Sequence, residues 1–174
     1  MKVKPFEESG MLFGGFEDEN CFLIEKTELY QKHFRPRKIS SADFILLRPG
    51  QTQKESRLLI IEAKKTLATK GTRRFQNTLS QIANQFMHSL YLALGIWFDG
   101  HKNKVKPPNN FAHFFEKGQQ VVLVLVIKHR KHDLKFIEDT LKTKYLLKEY
   151  KLWRFKVRVI NERLAIKEGL VIGE

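Results

Sequence analysis

The chain has 174 residues, a length that suits one compact domain, and 42% of them are hydrophobic, enough to bury a substantial core. Its 32 Lys and Arg against 19 Asp and Glu leave a formal charge of +13, which points to a polyanionic partner, nucleic acid before membrane surface, because no basic amphipathic anchor stands out. The single cysteine, Cys21, excludes an internal disulfide and a cysteine-rich zinc site, and in its apolar surroundings it reads as a small buried hydrophobe.

In chain order, MKVKPFEESG lacks the apolar stretch of a signal peptide, and residues 1–20, with Gly10, Gly14 and Gly15, read as a loosely structured segment. Cys21 to Ile24 is a short apolar patch, and Thr27 to Phe34 is compatible with a helix stopped by Pro36. Lys38 to Arg48 reads as a strand containing Asp43, Pro49-Gly50 as a turn, and Leu58 to Ile61 as a second apolar strand running into Glu62-Ala63-Lys64. Continuous apolar runs of this kind imply strands covered on both faces. Phe75, Leu79, Ile82, Ala83, Phe86 and Leu90 recur at steps of three and four and predict a long helix ended at Asp99-Gly100. Val121 to Lys128 is the strongest strand; its apolar core is too short to cross a bilayer, so the protein is expected to be soluble and cytoplasmic. Asp133 is a good N-cap for a helix from Leu134 to about Leu147, Trp153 to Ile160 alternates as a strand should, and a short helix is expected after Asn161. Together these elements predict an α/β sandwich around a mixed sheet, in a single domain spanning 1–174.

The charge distribution singles out a few acids. Up to Glu28 there are seven acids and three bases, but from Leu29 to Phe98 only Asp43, Glu55 and Glu62 remain. Asp43 heads Asp-Phe-Ile-Leu-Leu, and Glu62 and Lys64 end Leu-Leu-Ile-Ile-Glu-Ala-Lys. Strand side chains alternate, so Glu62 and Lys64 share a face while Ala63 points away, and pairing of the two strands as a hairpin brings all three polar groups together. Adjacent carboxylates repel and raise each other's pKa unless a cation sits between them, and a hard oxygen-seeking dication such as magnesium relieves that conflict. Phosphodiester hydrolysis uses those parts, with Lys64 as a point charge on the attacking water or the phosphate. Taken singly, Glu-x-Lys is a common solvated ion pair and a strand-start aspartate a common cap; it is their conjunction beside apolar runs that carries the reading.

The arrangement resembles the PD-(D/E)xK nuclease superfamily, over Cys21 to about Trp97. Asp43 matches the motif aspartate, Glu62 the second acid and Lys64 the lysine, while Ala42 stands where the motif's name has proline. The resemblance implies a restriction-endonuclease-like three-layer α/β/α sandwich around a central mixed β-sheet. It also implies Mg2+ or Mn2+ held by Asp43 and Glu62, and nucleic acid as partner, DNA before RNA, in a homodimer that cuts both strands. Members often add a glutamate from the preceding helix, for which Glu25 is the leading candidate, with Glu17, Glu19 and Glu28 as rivals and a plain surface glutamate as the alternative. They also often carry a Gln or Lys on the following helix; Gln85 borders the apolar stripe and is the candidate, a solvated glutamine being the alternative.

Lys65, Arg73 and Arg74 are candidate phosphate contacts, as are Lys102, Lys104 and Lys106. His129-Arg130-Lys131-His132 reads as an exposed turn that could grip phosphate, and His33, His88 and His113 are too scattered for a metal site. Phe111, Phe114 and Phe115 could stack on bases but suit the core better. Two rival readings stand beside the nuclease: a catalytically dead binding module of the same fold, and a basic structural subunit of a nucleoprotein assembly.

Overall fold

The computed structural model describes residues 1–28, 30–50, 55–98, 108–111, 120–129 and 133–173. Its centre is a five-stranded mixed sheet built from β3 (Cys21–Phe22), β4 (Phe44–Arg48), β5 (Arg57–Lys64), β6 (Gln120–Ile127) and β7 (Lys156–Asn161), side by side in that order. The β3, β4 and β5 pairings are antiparallel, whereas β5–β6 and β6–β7 are parallel. A parallel step needs a crossover, and α1 (Arg73–Phe98) leads the chain from β5 back towards the start of β6. Helices α2 (Leu134–Thr140) and α3 (Leu147–Trp153) lie between β6 and β7, and α4 (Glu162–Lys167) follows β7.

Both faces of the sheet are dry, which explains the uninterrupted apolar runs. On one face Ile45, Leu58, Ile60, Leu123 and Leu125 pack with the α1 stripe of Phe75, Leu79, Ile82 and Phe86 and with Ile137 of α2. On the other, Phe44, Leu46, Leu59, Ile61, Val122 and Val124 pack under Met11, Phe13 and Ala165. The covering of this second face is a hairpin plus the short α4, not a full helical layer.

That hairpin corrects the expectation of a loosely structured 1–20. β1 (Phe6–Glu8) pairs antiparallel with β2 (Met11–Phe13). Ser9 (φ 53°) and Gly10 (φ 75°) form the two-residue turn, whose left-handed backbone at both positions matches the twist of the flanking strands. Phe6 and Phe13 stack at 6.1 Å and both meet Phe44 edge-on, at 5.1 and 5.2 Å. Aromatic burial on the sheet thus fixes a segment too short to fold alone.

Several boundaries also move. The strand expected from Lys38 begins only at Phe44, because Arg35–Arg37 is a 3-10 turn and Lys38 adopts the left-handed conformation. Pro36 does not end the preceding helical stretch, a π-turn at Tyr30–Phe34; it sits in the first turn of the 3-10 segment, where its missing N–H costs nothing. Asp133 caps α2 as expected, its Oδ1 accepting from Phe136 N at 3.0 Å, but the helical path continues through a π-turn at Leu141–Tyr145 into α3. Trp153 therefore ends a helix, and β7 begins at Lys156. Asn161 caps α4 through Leu164 N at 2.9 Å. Cys21 and Phe111 are buried, His33 is exposed and His88 bonds Ser40 O at 2.9 Å. Lys102, Lys104, Lys106, His113, Phe114, Phe115, Arg130, Lys131 and His132 lie outside the described residues. Among the described residues no helix is long and apolar enough to cross a membrane.

Candidate active site

The β4–β5 register runs from Arg48 opposite Arg57 to Phe44 opposite Ile61. One step further along the same ladder sets Asp43 opposite Glu62. Asp43 is the residue before β4, not a member of it, and its side chain takes over the ladder: Oδ2 accepts the Ala63 N–H at 2.6 Å. The residue between the two charged positions of Glu-x-Lys thereby anchors the aspartate. Alternation then puts Glu62 on the face of Leu58 and Ile60, towards α1, with Ala63 on the opposite face.

Glu62 is only 1% exposed, and Lys64 Nζ donates to its Oε1. Among the described residues Glu62 Oε2 is buried with no hydrogen-bond partner, a costly state for a carboxylate oxygen and a rare one. Both acids hold their protons tightly. Burial, then the negative charge of Glu62, pushes Asp43 up to about 8. Burial also pushes Glu62 up, to about 7, against the pull of the Lys64 ammonium. Two buried carboxylates facing one another cannot both ionise without a cation between them.

Gln85 of α1 stands beside Glu62. Its amide favours the charged form of Glu62, although Nε2 makes its well-formed bond to Ser41 O at 3.1 Å and leaves Oε2 unpaired. Glu25 lies on a 3-10 turn, not on a full helix, close enough for its charge to act on Glu62. Its Oε1 accepts from Ser41 Oγ at 3.1 Å and lies 3.2 Å from the Tyr30 hydroxyl, and its charge raises the pKa of Glu62. Lys65, Arg73 and Arg74 are exposed, Lys65 next to the site lysine and the arginines in the first turn of α1.

Two contributors had no signal in the motif. Ser89, buried in the α1 stripe, accepts the Ala42 N–H on Oγ at 2.7 Å and so holds the residue before Asp43. The β1–β2 turn brings in Glu8, whose pKa is raised by burial and by Glu25, and which also feels Lys26 and Lys64. Ser9 Oγ donates to Ala63 O at 2.9 Å, so the hairpin tip is tied to the same residue whose N–H holds Asp43.

Among the described residues no three His, Cys, Asp or Glu side chains converge as a ready-made metal cage. Magnesium seldom needs one: it is held by one or two carboxylates and completes its shell with water and substrate phosphate. An unpaired buried oxygen on Glu62, at the ladder position opposite a raised-pKa aspartate, fits that mode. Compared with known proteins, the chain matches no family model, no curated protein and no solved structure.

Proposed function

We propose that this chain is a magnesium- or manganese-dependent nuclease of the PD-(D/E)xK type with a restriction-endonuclease-like fold, hydrolysing phosphodiester bonds in DNA. The observation that carries the reading is the unpaired, buried Glu62 Oε2 set across the ladder from Asp43 with Lys64 beside it. Support also comes from the sheet, in which the acid precedes one strand and Glu-x-Lys ends its antiparallel neighbour, with a long crossover helix following. The basic surplus supplies attraction for the phosphate backbone.

In this reading Asp43 and Glu62 hold the dication through their carboxylate oxygens. Once bound, the ion supplies Lewis acidity towards the phosphate and lowers the pKa of a water. The protein's own work is positional and electrostatic. The Ala63 N–H fixes Asp43, Gln85 and Glu25 bias Glu62 from either side, and Lys64 offers its ammonium to the negative charge that builds on the phosphate oxygens. Cutting both strands of a duplex with one such site calls for two copies, so the reading includes a homodimer.

The test is plasmid nicking by purified protein with Mg2+, Mn2+ or a chelator, with Asp43→Ala and Lys64→Ala as controls. Metal-dependent nicking by the wild type, lost in both variants, is the expected result. A second reading, a binding module that does not cut, draws on the same basic surplus of +13. Equal binding by all three proteins with no nicking under any metal would establish it in place of the nuclease.

A further inference from the structure

At the carboxyl ends of β5 and β6, two residues beyond Lys64, the loop after β5 and the start of α2 enclose a cavity of about 430 Å³, lined by Thr66, Thr69, Lys70, Phe75, Asp133 and Phe136 among others. The place suits a ligand, because crevices outside the carboxyl ends of parallel strands are where α/β sheets commonly bind one. The size matches a small planar molecule. Its wall is aromatic: Phe75 and Phe136 stack at 6.3 Å with ring planes 22° apart. Phe75 is buried in the core, but Phe136 is only half-buried and borders the cavity. The face of Phe136 is covered by a charge, Lys70 Nζ standing 3.5 Å from the ring centroid.

A hydroxyl-rimmed slot with an aromatic wall, an acid and an exposed cation has the chemistry of a nucleobase site. The base stacks on a ring, its edge meets hydroxyl and carboxylate groups, and the adjoining phosphate takes the lysine. Lys70 is exposed, as are Lys65, Arg73 and Arg74 within five residues of it in the chain, so its ammonium can exchange the ring for a phosphate as a base enters. A base in an intact duplex has no free face to offer. We infer that this cavity takes one unpaired nucleobase of the nucleic-acid substrate, stacked on Phe136. The inference rests on the nuclease reading for its substrate and adds a preference for single-stranded or locally opened DNA.

The experiment is titration, in chelator and at fixed salt, of a short single strand and of the same sequence as duplex. The proteins are the wild type, Phe136→Leu, which keeps apolar volume but removes the ring, and Thr69→Leu, which fills the slot from its exposed rim. Loss of one base stack weakens binding by roughly five- to hundredfold. Both variants are expected to lose single-strand affinity to about that extent while duplex affinity stays within about twofold, since phosphate contacts are untouched. Single-strand affinity unchanged in both variants overturns the base site, and leaves the nuclease reading standing where the same preparations still nick plasmid. A wild type that binds neither form overturns both. Thr69→Leu guards against misfolding of Phe136→Leu, because its side chain leaves the core intact.

Discussion

Asp43→Asn in the metal-free protein isolates the electrostatic claim at the heart of the site. The substitution keeps an oxygen to accept the Ala63 N–H and removes only the charge facing Glu62. In the folded chain Asp43 is pushed from 3.8 to about 8, first by burial and then by Glu62. The unfolded chain releases this proton near pH 4, so below that value both states hold it and the wild type suffers no penalty. As pH rises towards 8 the unfolded state gains the ionised form and the folded state does not, and stability drains away until the folded carboxyl also ionises. A tenfold change in proton affinity is worth about 1.4 kcal/mol, so the full penalty reaches roughly 6 kcal/mol. Glu62 shares the repulsion and side chains relax, so the expected difference is on the order of 3 kcal/mol. Urea midpoints in chelator at constant ionic strength read it directly. The variant should match the wild type near about pH 3.5 and exceed it by roughly 3 kcal/mol near about pH 8.5. Magnesium at a hundredfold over its Kd should return about 2.7 kcal/mol to the wild type, and much less to the variant. Two proteins whose stability runs parallel across the whole range, or a wild type indifferent to magnesium at alkaline pH, would refute the reasoning.

Lys64→Ala should lower turnover by roughly a hundredfold or more while DNA affinity in chelator changes little, because one charge among many contributes little to binding; affinity falling in step with turnover counts against its role on the phosphate. Ser89→Ala strips the buried Ala42 N–H of its acceptor and should cost about 1–3 kcal/mol in urea, and it should weaken nicking further by loosening Asp43. Phe13→Ala removes a fully buried ring from the Phe6 and Phe44 cluster and should cost about 3–5 kcal/mol; a smaller loss would mean that the hairpin is not held by this packing. Glu168 makes two bonds to Arg158, at 3.0 and 2.6 Å, which hold its carboxyl below the usual range. Glu168→Gln should therefore cost about 1 kcal/mol at neutral pH, kept low by solvent contact, and the gap should close as acid protonates the wild-type carboxylate.

What could be read from the chain divides along a physical line. Glu62 and Lys64 sit in an eight-residue strand whose apolar positions leave no freedom of register, so their shared face follows from alternation alone. Asp43 is legible for the same reason at one remove. Phe44 to Leu47 is an apolar run that must lie against the run before Glu62, and the turn at Pro49-Gly50 makes the pair antiparallel. Asp43 lies outside the strand because its side chain, not its backbone, completes the ladder, a substitution invisible to periodicity. The long helix was equally legible, and with it the place of Gln85 at the edge of the stripe.

The rest depends on where the chain travels after its local pattern is satisfied. Strands of three residues carry too little alternation to register, and the Glu-Glu of β1 hides even that; only Ser9-Gly10, a turn pair between Phe6 and Phe13, marks the hairpin. Its docking is decided by Phe44, a residue more than thirty positions away that is itself buried under Phe6, Phe13 and Phe16. Glu8 reaches the field of Glu25 and Lys64 only because that aromatic contact exists. Ser89 fails to announce itself for the opposite reason, since a hydroxyl in an apolar stripe looks like an interruption until the chain supplies Ala42 N as its donor. The motif residues are therefore the ones whose neighbours are set by strand alternation, and the residues that hold them are the ones set by tertiary packing. A variant that loosens the hairpin without touching the sheet should accordingly disturb Glu8 and the Ser9 bond to Ala63 O, while leaving the register of Asp43 against Glu62 intact.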